Sequence, residues 1–244
     1  MLIFALSVWK RGAASAQVRD PAETLIFQES SMPRILPGSV PGADIYAITD
    51  SRLSLGRGVG EVARAVMSSG VRILQYREKD KDKGEKLKEC LLLREITREA
   101  GACFIVNDDV DIALLCGADG VHLGQSDLPA AEVRRLVGPE MIIGVSSKNP
   151  GQAEKAVADG ADYIGVGPIF STATKPEAGK GVTLAYLDWV IANIRIPYVA
   201  IGGINRSNIG ELVRHGCRCC AMISDIVSAP DIPGRIEEIR RAMR

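Results

Sequence analysis

A glycine recurs where an amphipathic stretch gives way to a β-rich run. The joints read Gly70-Val71-Arg72-Ile73, Gly101-Ala102-Cys103-Phe104, Gly117-Ala118-Asp119-Gly120, Gly160-Ala161-Asp162-Tyr163 and Gly216-Cys217-Arg218-Cys219. Glycine takes up the left-handed backbone that closes a helix C-terminus at little steric cost, so each joint predicts a helix passing directly into a strand. Repetition of that joint at element spacing constrains the chain to strand–helix alternation. Alternation of this kind requires parallel strands.

The β-rich runs are residues 45–49, 72–76, 103–106, 120–123, 141–145, 163–166, 198–201 and 217–223. Helical stretches are predicted at 60–69, 83–100, 128–136, 152–159, 184–193, 207–215 and 233–243, with helical spacing visible in Val62, Val66 and Met67 and in Leu87, Leu91 and Ile96. This number of strands predicts a single (β/α)8 TIM barrel over residues 44–244, a fold that commonly takes about 250 residues. A doubly wound sheet would place a glycine-rich turn after its first strand, whereas Asp50-Ser51-Arg52 stands there.

Composition narrows the function classes. Thirty Lys+Arg balance 30 Asp+Glu, so a nucleic-acid binder working by counterion release is not expected. No apolar run approaches the ~20 residues of a transmembrane helix, and no membrane partner is expected. The six cysteines (90, 103, 116, 217, 219 and 220) form no disulfide framework, and Cys217-x-x-Cys220 sits in an apolar stretch that reads as a buried strand. Residues 1–43 read as a poorly ordered N-terminal extension. Their apolar start is followed, not preceded, by Lys10 and Arg11, the wrong order for a signal peptide.

In a barrel of this kind the chemistry sits where strands end. Gln75, Arg77, Glu78 and Lys79 follow the second run, Asn107, Asp108 and Asp109 the third, and Gln125, Ser126 and Asp127 the fourth. Ser146 and Ser147 follow the fifth, Thr172, Thr174 and Lys175 the sixth, Gly202 and Gly203 the seventh, and Ser224 the eighth. Gly202-Gly203 and Met222-Ile223-Ser224 occupy the usual barrel phosphate position. Asp108 and Asp127 end neighbouring strands and can converge on a hard cation such as Mg2+, with helix capping by Asp127 as the competing reading. Asp109 and Asp111 read as cap or helix-face residues. Lys79, Lys175 and Arg77 add positive charge to the same rim, and the loop from Thr172 to Gly181 reads as a phosphate-gripping lid. Two phosphate regions and a cation site point to two phosphorylated reactants, one of them a diphosphate. His122 lies within a strand and reads either as a support for the site or as a hydrogen-bonded core residue. His215 suits a helix C-terminus.

The motifs Gln75-Tyr76-Arg77-Glu78-Lys79, Val106-Asn107-Asp108-Asp109, His122-Leu123-Gly124-Gln125-Ser126-Asp127 and Gly144-Val145-Ser146 resemble those of the thiamine-phosphate synthase family. The stretch from Gly165 to Lys175, Ile201-Gly202-Gly203-Ile204 and Met222-Ile223-Ser224 follow the same pattern. The resemblance runs from about residue 45 to the C-terminus. It implies that a hydroxymethylpyrimidine diphosphate loses pyrophosphate to the nitrogen of a thiazole phosphate, through a pyrimidine-stabilised cation. It further implies that Gln75, Tyr76, Arg77, Glu78, Lys79, Asn107, Ser146, Thr172, Thr174 and Lys175 hold the pyrimidine diphosphate. Lys79, Lys175 and Ser146 would then be catalytic, Asp108 and Asp127 would hold Mg2+, and Gly203, Ile223 and Ser224 would hold the thiazole phosphate. Lys148 stands where many relatives carry His. A thiazole tautomerase of the same superfamily and a non-catalytic regulator are the competing readings. A cytoplasmic location is expected from the cysteines, the absent signal pattern and the resemblance, and a homo-oligomer stays open.

Overall fold

The computed structural model describes residues 35–38, 44–171 and 181–244. Thr172, Thr174 and Lys175, and all of the N-terminal extension except 35–38, lie outside the described residues.

Eight parallel strands close into a barrel in chain order, β1 pairing with both β2 and β8. They are β1 (Ile45–Ile48), β2 (Ile73–Tyr76), β3 (Cys103–Asn107), β4 (Gly120–Leu123), β5 (Ile142–Ser147), β6 (Tyr163–Val166), β7 (Tyr198–Ile201) and β8 (Cys220–Met222). The surrounding helices are α1 (Val59–Ser68), α2 (Lys83–Glu99), α3 (Val110–Cys116), α4 (Ala130–Val137), α5 (Pro150–Ala158), α6 (Thr183–Asn193), α7 (Ile209–Arg214), α8 (Ser224–Val227) and α9 (Ile232–Ala242). Ser51–Leu53 forms a short 3-10 turn after β1.

The expected glycine joints carry the fold. Gly70, Gly101, Gly117, Gly160 and Gly216 all have left-handed φ, between 61° and 89°. Two differences from the sequence reading have simple causes. Helix α3 went unpredicted because seven residues, mostly apolar, show too little periodicity to separate a helix from a loop. Strand β8 is shorter than residues 217–223, because Cys217 still belongs to the turn that closes α7.

Strand alternation divides the apolar residues into two layers. Ile45, Leu74, Phe104, Val121 and Ile143 pack outward against the helices. Tyr46, Ile73, Cys103, Ile105, Ile142, Tyr163, Val199 and Ala221 point into the barrel. All six cysteines are buried free thiols; of the Cys217-x-x-Cys220 pair read as a buried strand, Cys220 lies in β8 and Cys217 in the turn before it. At the end where the strands begin, Asp119 accepts the Phe104 N–H and pairs with Arg94, while Asp162 accepts the Ile143 N–H and pairs with Arg134. Each of these aspartates follows a glycine joint and ties a helix to a neighbouring strand start. At the same end, Ile35 and Leu36 pack on the inner cluster, and Gly38 passes so close to Tyr198 that an added Cβ would sit 2.4 Å from its carbonyl oxygen.

The inner layer fits because glycine vacates space for rings. A Cβ on Gly144 would lie 2.1 Å from Cζ of Tyr163, and one on Gly165 would lie 3.2 Å from Cε1 of His122. Gly144 pairs in register with both His122 and Tyr163 on the flanking strands. Gly144→Ala is therefore expected to destabilise the fold by about 1–3 kcal/mol through overpacking. Urea unfolding checks this, and an unchanged midpoint would show that the Tyr163 ring does not occupy that space.

Candidate active site

The C-terminal ends of the strands open into a bowl of about 1020 Å³, part of it open to solvent. Its wall carries Gln75, Arg77, Asn107, His122, Ser146 and Lys148 on one arc and Gly202, Gly203, Ile223 and Ser224 on another. Tyr46 and Tyr163 lie deeper.

Period-two alternation selects which candidates face this space. Gln75 points inward and donates from Nε2 to the Tyr46 hydroxyl at 2.7 Å. Its neighbour Tyr76 points the other way, and its hydroxyl donates to Glu89 of α2 at 2.7 Å. The side chain of Tyr76 therefore does not join the bowl. Arg77 lines the bowl and is buried, with Nη1 3.1 Å from the buried Asp50 carboxylate. Glu78 organises the loop after β2, accepting the N–H groups of Lys79 and Asp80. Burial pushes its carboxyl upward, but the Ser51 hydroxyl and those two N–H groups outweigh it and hold Glu78 below the usual carboxylate range. Ser146 faces the bowl, whereas Ser147 lies outside it, bonded to Tyr186 and to the Gly165 carbonyl.

Asp108 and Asp127 meet in the loops after β3 and β4, just beyond the bowl-lining Asn107, and Asp127 itself lines a separate cleft with Gly124, Gln125 and Lys155. Asp108 sits at φ 63°, a left-handed conformation costly for a residue with a side chain and typical of functional turns. Its carboxylate accepts from Lys79 Nζ at 2.6 Å and faces the Asp127 carboxyl. Asp127 also accepts the Gly124 N–H at 2.7 Å, which holds its own loop. Helix α4 starts instead at Pro129 without a side-chain cap, so Asp127 is not a helix cap. Burial raises both carboxyls, but the bonds from Lys79 and Asp127 keep Asp108 ionised below the usual range. Asp127, half-buried and facing that anion, is pushed above it. Among the described residues, no cluster of three or more His, Cys, Asp or Glu could hold a metal ion. The donor set here is two carboxylates. That suits a hard cation which completes its shell with water and substrate oxygens. Asp109, by contrast, pairs with Lys86 and Lys83, and Asp111 pairs with Lys83.

Across the bowl, Gly202 and Gly203 take φ 101° and 63°. A Cβ on Gly203 would lie 2.6 Å from the Ser171 carbonyl oxygen. The Gly203 carbonyl is held by the side-chain amides of Asn208 at 2.9 Å and Asn205 at 3.2 Å. Ile223 and Ser224 complete this wall, where β8 passes into the short α8. Lys148 lines the bowl, and its N–H is bonded to Gln152.

Sequence reasoning singled out a few residues after each strand and so passed over Tyr46 and Tyr163 inside the barrel, Asp50 after β1, which orients Arg77, and Asn205 and Asn208 after β7, which pin the glycine turn. The inward parity that Tyr163 shares with Gly165, two residues on, was the available signal for it.

A closed barrel with a polar bowl over its strand ends, a glycine cradle on one side and a lysine-bound carboxylate pair on the other defines a (β/α)8-barrel enzyme of small-molecule substrates. The family described as thiamine monophosphate synthase matches residues 45–226. A thiamine-phosphate synthase of Lawsonia intracellularis is 57% identical over 212 residues, 87% of this chain and 98% of that protein. One of Pelotomaculum thermopropionicum is 52% identical over 198 residues, covering 81% and 91%. The solved structure of a thiamine phosphate pyrophosphorylase from Pyrococcus furiosus superposes with a TM-score of 0.76 at 36% identity, covering 82% of this chain and 95% of that one. The chain belongs to the thiamine monophosphate synthase family.

The carboxylate pair makes a pH-dependent prediction. A carboxyl whose folded pKa is raised binds more protons in the native state, so stability falls as pH rises from its ordinary value through the raised one. Asp127→Asn removes that loss, while its amide can donate to Asp108 as the protonated acid does. In metal-free protein the variant is therefore expected to melt above the parent at pH 7, with the difference shrinking toward about pH 4. Thermal melts across that range test it, and a variant that melts lower at pH 7 would show that the two carboxyls do not oppose each other.

Proposed function

We propose that this chain transfers the pyrimidinylmethyl group of a hydroxymethylpyrimidine diphosphate to the nitrogen of a thiazole phosphate, giving thiamine phosphate and pyrophosphate with Mg2+ held by Asp108 and Asp127. The observation that carries this reading is the meeting of Lys79, Asp108 and Asp127 in the loops that follow β2, β3 and β4, directly beyond the bowl residues Arg77, Asn107 and His122.

Each side of the bowl suits one reactant. Gln75, Arg77, Asn107 and Ser146 bind the pyrimidine diphosphate, whose phosphates are taken by Lys79 and Lys175. Gly203, Ile223 and Ser224 take the thiazole phosphate. Backbone N–H groups can approach a phosphate closely where glycine leaves no side chain in the way.

The C–O bond to the diphosphate breaks with its electron pair leaving on pyrophosphate. The thiazole nitrogen then gives its lone pair to the exposed methylene carbon. Such a route needs no protein nucleophile. It needs positive charge at the leaving group and a wall that keeps water out. Lys79 and Lys175 provide the first, and the apolar side chains of Ile201, Met222 and Ile223 contribute to the second. A bound Mg2+ adds charge stabilisation at the departing pyrophosphate. The acid pair supports its place there, because two neighbouring carboxylates repel each other when both are ionised and gain from a cation between them.

Incubation of the full chain with both substrates and Mg2+ is expected to release pyrophosphate. Conversion of the thiazole alone would indicate a tautomerase, and no conversion would indicate a binding protein. Asp108→Ala and Lys175→Ala are each expected to lower kcat by roughly a hundredfold or more with the fold retained by circular dichroism. Near-parental rates in both would remove these roles.

A further inference from the structure

A hydrogen-bonded chain runs across the floor and wall of the bowl. Gln75 Nε2 lies 2.7 Å from the Tyr46 hydroxyl, which lies 3.0 Å from the Tyr163 hydroxyl. The Tyr163 hydroxyl lies 2.9 Å from Nδ1 of His122, and Nε2 of His122 lies 2.9 Å from Oγ of Ser146. Five strands contribute one residue each: β2, β1, β6, β4 and β5. The rings are seated by Gly144 and Gly165, whose missing Cβ atoms leave the space that Tyr163 and His122 occupy.

Donor chemistry gives this chain a direction. An amide nitrogen can only donate, so the Tyr46 oxygen accepts from Gln75 and has one proton to give. Its other hydrogen bond among the described residues is to Tyr163. Tyr46 therefore donates to Tyr163, and Tyr163 donates to Nδ1. An imidazole that accepts at Nδ1 carries its proton on Nε2 and donates it to Ser146. Ser146 then has its own proton free to give. The reverse order would start from a proton on Nδ1 and end with a buried Tyr46 hydroxyl whose hydrogen meets the Gln75 N–H, and a buried donor without an acceptor bears its full desolvation penalty. Burial also raises both phenols well above their ordinary range, so both stay protonated and able to donate.

We propose that Tyr46 and Tyr163 are positioning residues that fix the tautomer of His122, so that the Ser146 hydroxyl meets the pyrimidine diphosphate as a hydrogen-bond donor. The proposal rests on the reading of Ser146 as a contact to that substrate. It assigns the substrate atom facing Ser146 to the acceptor class, a ring nitrogen without hydrogen or a phosphate oxygen. The role assigned to each tyrosine is to orient, not to act on the reacting atoms. Each acts through the next link.

The chain has two histidines, which makes the tautomer directly measurable. Long-range proton–nitrogen NMR of the 15N-labelled full chain, with the His215 signal assigned by His215→Gln, is expected to show His122 protonated at Nε2 and bare at Nδ1 at neutral pH. A proton on Nδ1 would overturn the proposal whether or not the protein proves to be a synthase, so failure here is distinguishable from failure of the functional reading. Tyr163→Phe is expected to abolish the single-tautomer signal. It should lower kcat/KM for the pyrimidine diphosphate roughly tenfold, the scale of one hydrogen bond, with the KM for thiazole phosphate little changed. In a Ser146→Ala background the same substitution is expected to add less than about twofold, because the two changes cut one chain. Independent, multiplying losses would refute action through Ser146. Tyr46→Phe, measured the same way, provides the same test one link earlier if Tyr163→Phe folds poorly.

Discussion

The interior of an eight-stranded barrel is a fixed volume, and the register of its strands decides which residues must share it. At the level of Gly144, β4, β5 and β6 bring His122, a bare glycine and Tyr163 side by side. Two rings fit across three strands only because the middle position has no side chain. A polar network can then run through what would otherwise be an apolar plug. That one steric allowance links the packing of the barrel to the chemistry above it. The rings that fill the interior also deliver hydrogen bonds to Gln75 and Ser146 on the wall of the bowl.

The two ends of the barrel use carboxylates in opposite ways. Where the strands begin, Asp119 and Asp162 each receive a backbone N–H and an arginine, so every charge is matched within the fold. Where the strands end, Asp108 is held in a left-handed turn against a second carboxyl. Backbone strain and like-charge proximity both oppose folding. Their concentration at one face, over a scaffold matched elsewhere, is the pattern of a site kept for binding rather than for stability.

The fold was legible because its strongest signals are local. Gly70, Gly101, Gly117, Gly160 and Gly216 each announce a left-handed joint within four residues of sequence, and the structure has one at each. Helix α3 was not legible, since residues 110–116 are too short and too uniformly apolar for a period to emerge. Within the site, position after a strand located Gln75, Arg77, Asn107 and Ser146, all of which line the bowl. It could not separate Gln75 from Tyr76, because inward or outward orientation depends on strand parity, which only the register fixes. Tyr46, Tyr163 and Asp50 were hidden for a related reason. Their partners lie 29, 41 and 27 residues away, respectively, on other strands or their loops, brought near only by strand pairing in the folded barrel.

Two cations at the rim have partners, and burial makes those pairs unequal. Arg77 and Asp50 are 7% and 3% exposed, so separating them would leave a buried charge unmatched and is strongly opposed. Lys79 and Asp108 are 39% and 24% exposed, a setting in which an ion pair contributes at most about 1 kcal/mol. Arg77 is therefore a fixed feature of the wall, oriented before any ligand arrives. Lys79 can exchange a carboxylate for another anion at little cost, and in doing so it uncovers Asp108. A side chain that surrenders its partner so readily belongs where charge changes hands, and one locked to its partner belongs where shape must not change.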